Sequence, residues 1–182
     1  MVGWWGALAV AGAQEPGESA FEAAKARHLR VQSAGMGVLA GWSAVNLAGG
    51  GVAWALADTP RREGFWGGNA AWNVVNLGIA TAGLASVGGK RKAIQEPLDL
   101  LKSQQNLERS LLVNIGLDVA YVVAGLALRE RGLRLDQPSL QGFGDALLAQ
   151  GGFLFAFDIA LFTASQRSRR RERYTVRFSE MP

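Results

Sequence analysis

The stretch Trp72-Asn73-Val74-Val75-Asn76-Leu77 decides how this chain is read. It lies inside an apolar run and has an echo upstream, Trp42-Ser43-Ala44-Val45-Asn46-Leu47, so that both read Trp-x-x-Val-Asn-Leu. On a helix, Trp and Asn four residues apart stack on one face. An Asn buried among apolar residues needs hydrogen-bond partners, so the two helices are expected to face each other. Trp42 and Trp72 then serve as a helix clasp, with Asn46 and Asn76 level near the middle.

Working outward, charge is nearly absent from four stretches, about 33–57, 67–88, 111–128 and 145–164. Each has the roughly 20 residues that cross a hydrocarbon core of about 30 Å at about 1.5 Å per residue. The mean hydropathy of +0.09 and the hydrophobic content of 49% conceal this, because the charges crowd into the segments between. The runs are longer than those of soluble core helices, and their Gly and Ala content suits close helix packing in a membrane. Gly37 and Gly41 form a Gly-x-x-x-Gly pair expected to make one such face. The reading is all-α: an antiparallel four-helix transmembrane bundle.

The connections are read as follows. Residues 1–13 end in Ala11-Gly12-Ala13, a small-x-small pattern of secretory cleavage sites, but lack a positive leading region. Residues 14–32 form an amphipathic stretch, interfacial or extending the first span. Asp58 to Gly64 is a short turn, residues 89–110 are expected to hold an interfacial helix between spans two and three, and residues 167–182 form a basic tail. With no cysteine there is no disulfide or thiolate chemistry. The single His28 reads as a surface residue and excludes bis-histidine haem ligation within one chain. The pI near 10 comes from arginines flanking apolar spans, which marks an anchor at anionic lipid and not a nucleic-acid site. No cofactor and no metal are expected, and the Gly clusters lack the context of a phosphate-binding loop.

Four spans put both mature ends on one side. That side carries fourteen Lys and Arg residues against five opposite, which places the termini in the cytoplasm of a multi-pass protein of the bacterial inner membrane. A cleaved signal would place them outside, and the charge count is preferred.

Within the spans the polar residues are Asn46, Asn69, Asn73, Asn76, Asn114, Asp118, Tyr121, Gln150 and Asp158. Counting about 1.5 Å per residue, Asp118 and Asp158 both lie roughly 10 Å from the side carrying the termini. Asn114, Asp118 and Tyr121, at i, i+4 and i+7, share a face. Ionisable groups inside a membrane cost about 2.5–3.5 kcal/mol each on insertion scales and are functional candidates by default. Two carboxyls at one level can share a proton, which suits proton coupling or cation binding; the alternative is that they only glue helices. The residues flanking each Asp do not form an aspartic-protease pattern. Spans one and two share Trp-x-x-Val-Asn-Leu, and spans three and four share a weaker Asp-x-Ala echo, a hint of the inverted repeats of small transporters.

Trp72 to Leu77, the stretch Leu112-Val113-Asn114-Ile115-Gly116-Leu117-Asp118-Val119-Ala120-Tyr121, and Gln150-Gly151-Gly152-Phe153 with Asp158 together resemble a bacterial membrane-protein family of unknown function. The resemblance covers nearly all of residues 20–165. It implies a small chain with a signal-like start and four hydrophobic helices, and no activity. The expected role is a structural or assembly subunit with a polar seam, with the lipid bilayer, other membrane subunits or a second copy as partners. The alternative is a small ion- or proton-coupled carrier using Asp118 and Asp158.

Overall fold

The computed structural model describes residues 16–179. The signal-like segment 1–13, with Trp4 and Trp5, lies outside the described residues. Four helices make up the rest: α1 (Pro16–Ala55), α2 (Pro60–Ala93), α3 (Pro97–Arg134) and α4 (Pro138–Ser179). Each opens on a proline, whose fixed φ suits a first turn and whose missing N–H leaves no helical bond unmade. Thr59 caps α2 by accepting from the Arg62 amide. Glu96 and Asp99 form a reciprocal capping box at the start of α3. Between α3 and α4, Gln137 N–H bonds Gly132 O and Asp136 N–H bonds Leu133 O. These are the paired bonds of a Schellman stop, with Asp136 at φ 51° where glycine is usual.

Residues 97–108 are the opening turns of α3 and continuous with the rest of it. Residues 16–32 are likewise the opening turns of α1, the second of the two expected readings. The basic tail continues α4 as helix to Ser179.

All four helices are long and apolar enough to cross a membrane. The distribution of side chains carries the same message. Among the described residues, buried polar or charged side chains are as numerous as buried hydrophobic ones, eleven of each, while twenty-two large hydrophobics are exposed. A water-solvated bundle would put those twenty-two inside. An apolar outer surface around a hydrogen-bonded interior is what a bilayer solvates.

Contacts between α1 and α2 climb one helix as they descend the other: Met36 lies at Gly83, Asn46 at Asn69 and Trp54 at Gly67. Helix α4 packs against α1, α2 and α3, whereas the backbones of α2 and α3 stay apart along most of their length. The close approaches come from glycines. A Cβ on Gly142 would run into the Arg61 carbonyl and the Phe65 amide, and one on Gly64 into the Ser139 carbonyl. Gly125 and Gly144 do the same between α3 and α4. Gly37 and Gly41 do not form the expected packing face: both are exposed, with nothing near their missing side chains.

Gly142 therefore tolerates no side chain. Gly142→Val is expected to lower unfolding free energy in detergent by about 3 kcal/mol or more, beyond ordinary overpacking, because backbone must move. Gly78→Ala, which faces open space, should be neutral or slightly stabilising by helix propensity. Thermal unfolding monitored by circular dichroism compares the two.

Candidate functional site

The polar interior divides into two groups with different character. The first joins α1, α2 and α4 and is tied within itself except at Asn73 Oδ1, which is buried without a partner. Gln150, 1% exposed, donates through Nε2 to Asn69 Oδ1 and accepts from Trp42 Nε1. Asn69 in turn donates to Asn46 Oδ1 at 3.3 Å, and Asn46 donates to the Trp42 carbonyl. Asn73 donates to the Asn69 carbonyl. The Trp42 ring stacks on Phe153 at 3.8 Å. The contacts differ from the expected clasp: Asn46 meets Asn69, not Asn76, and Trp42 packs on α4 while Trp72 packs on α3.

The second group lines a cleft. A cavity of about 650 Å³ lies between α2 and α3, floored by residues of α1 and α4. Trp72 from α2 and Tyr121 from α3 meet edge to face across one end of it, 4.7 Å between ring centres. The lining includes Asn76, Asn114, Asp118, Tyr121 and Asp158. Asp118 and Asp158 are 2% and 4% exposed, and their carboxyls lie beside one another, with the Asn114 amide next to Asp158. Asp118 Oδ2, Asn76 Nδ2, Trp72 Nε1 and Gln32 Oε1 are buried without a partner, and all four belong to residues lining the cleft. Two of these atoms are donors and two are acceptors. Among the described residues no group of three acidic or histidine side chains could hold a metal ion.

The other end of the cleft, beside the α2–α3 turn, is basic. Lys90 and Lys102 line it with Ser103. His28 is not the surface residue expected: it is 3% exposed and its Nε2 lies 2.9 Å from Ser103 Oγ. Burial holds its imidazole below the ordinary 6.5, the Lys90 ammonium adds to the effect and Glu108 opposes it. Burial likewise lowers Lys90. Nothing in the sequence pattern around His28 marks this, because its neighbours come from α2 and α3. Ion pairs fasten both ends of the bundle: Asp145 bridges Arg61 and Arg129, and Arg169 of the basic tail holds Glu108 at 2.6 Å.

Two outcomes follow. Gln150→Leu strands the Trp42 indole and leaves Asn69 Oδ1 only the longer 3.4 Å bond from Asn73, and at about 1–3 kcal/mol for a buried group left unpaired should measurably destabilise the bundle on denaturant titration; a change under about 0.5 kcal/mol would remove Gln150 from its central place. For His28, the unfolded chain takes up a proton before the folded one does. Stability is therefore full above pH 6.5 and declines as pH falls below it. Melting temperatures between pH 7.5 and 5.5 should show that decline, and His28→Gln should reduce it.

No curated protein and no solved structure matches the chain. A family model described as a family of unknown function (DUF6992) matches residues 38–159. That span runs from the middle of α1 to Ile159 of α4 and takes in both the amide clasp and the carboxyl pair. The chain belongs to the DUF6992 family of unknown function.

Proposed function

We propose that this chain is a multi-pass protein of the bacterial inner membrane whose α2–α3 cleft binds a proton or small cation at the Asp118–Asp158 pair. The observation that carries this is the meeting of two carboxyls from different helices on the wall of a cavity. An ionised carboxylate only accepts hydrogen bonds, so two carboxyls in reach of one another are joined by a single proton. That proton can be displaced by a cation, with Asn114 and Asn76 as neutral ligands and the Trp72 and Tyr121 rings offering cation–π contact. An antiparallel bundle is supported by the descending α1–α2 pairing, and cytoplasmic termini by the excess of Lys and Arg on that side. On that orientation the first turns of α1 and α3 lie in the cytoplasmic interface.

A structural or assembly subunit is the second reading. What favours it is the network of Gln150, Asn69, Asn46 and Trp42, whose side chains hydrogen-bond to one another across three helices.

The two separate on one near-isosteric change. In proteoliposomes with a trapped pH dye, an imposed sodium, potassium or ethidium gradient should move protons through the wild type at least tenfold faster than through Asp118→Asn or Asp158→Asn. Equal melting temperatures would show the variants folded. Equal rates in wild type and variants would leave only the structural role.

A further inference from the structure

The basic end of the cleft is a second feature that the carboxyl pair does not explain. We infer that Lys90 and Lys102 hold the headgroup of one anionic membrane lipid, with one acyl chain lying in the cleft between α2 and α3. This rests on the reading of the chain as a membrane bundle, and is independent of what Asp118 and Asp158 do.

Charge comes first. Neither lysine forms an ion pair among the described residues. The one carboxylate beside them in the lining, Asp99, is engaged through Oδ2 by the backbone amides of Gln95 and Glu96. Glu108, the acid felt by His28, is taken by Arg169 through both oxygens. Two ammonium groups on the wall of one cleft therefore face an unfilled demand for an anion, with the Ser103 hydroxyl nearby. A cation at a membrane surface is worth about 1 kcal/mol toward anionic lipid.

Length comes second. Lys102 and Asp118 are sixteen residues apart on α3, about 24 Å along the axis. One leaflet, headgroup layer included, is about 20–22 Å thick. A lipid whose phosphate sits at Lys102 thus has room for one chain that ends just before the carboxyl pair. The wall over that distance is mostly apolar, with Ile79, Leu107, Leu111 and Leu117 in the lining among the polar Asn106, Ser110 and Asn114. Ile79 and Leu117 are also 55% and 45% exposed, so the cleft is open sideways. A lipid can enter from the bilayer and leave its second chain outside.

The test uses the full chain purified in detergent and stripped of lipid, titrated with phosphatidylglycerol, phosphatidylcholine or inorganic phosphate and read by native mass spectrometry. One phosphatidylglycerol is expected to bind at least tenfold more tightly than phosphatidylcholine, and inorganic phosphate not at all. Lys90→Gln with Lys102→Gln should erase the preference. Arg131→Gln, at the opposite end of α3, should leave it intact. Ser110→Trp, which fills the cleft midway, should weaken binding of both lipids and serves if the double variant fails to fold. Asp118→Asn should bind lipid as wild type does, so a failed proton assay leaves this result unaffected. Equal binding of the two lipids, a preference that survives loss of both lysines, or equivalent binding of inorganic phosphate overturns the proposal.

Discussion

An amide side chain in a hydrocarbon-solvated bundle has no water to fall back on, and Gln150 is where three helices meet that constraint together. Its amide donates to Asn69 and its carbonyl accepts from Trp42, so one α4 residue fixes the rotation of α1 and α2 at once. Each bond is individually modest, but breaking one leaves a buried group unpaired, which is the larger penalty. Helix α3 takes no part in this network. It is attached to α4 by glycine contacts and by the carboxyl pair, and to α2 mainly through Trp72 and Tyr121. The cleft follows from that asymmetry. Three helices are locked by amides, and the fourth stands off on one side.

Much of this was legible. Four charge-poor stretches gave the helices, and counting rise per residue brought Asp118 and Asp158 to one depth, where their carboxyls do meet. Local periodicity was enough for these because each depends on position along a single helix. The pairing partners were not legible in the same way. The Trp-x-x-Val-Asn-Leu echo suggested equal roles, yet Asn46 is tied to Asn69 while the Asn76 amide nitrogen is unpaired beside the cleft. Which polar residue a helix presents inward depends on its rotation, and Gln150 on α4 sets that rotation from a sequence distance of more than eighty residues.

The glycines and His28 make the same point from opposite directions. Gly37-x-x-x-Gly41 has the spacing of a packing face but looks outward, while Gly64, Gly125, Gly142 and Gly144 make the backbone contacts without forming one conspicuous motif. Small residues permit close approach; they do not say which neighbour will use it. His28 reads as a surface residue from the charges around it, Lys25, Arg27 and Arg30. The end of α2 and the start of α3 close over it and supply Lys90 and Ser103. Burial there is a property of the turn, invisible in α1.

The cleft is polarised along its length, with two lysines at one end and two carboxyls at the other, about 24 Å apart by helix rise. At that separation, opposite charges in a medium with an effective dielectric near 20 interact by less than about 1 kcal/mol. Neither end therefore neutralises the other. Each must find its own counter-charge, and the distance between them is too long for a salt bridge and close to the length of a leaflet. The two ends answer this differently. On the proposed reading the carboxyls, which lie beside one another, are joined by a proton and need no further counter-charge. The two ammonium groups form no ion pair among the described residues, and Asp99 beside them is engaged by backbone amides. Of the two ends it is the basic one that is open to a partner from beyond the chain, and in a bilayer the anions within reach are headgroups.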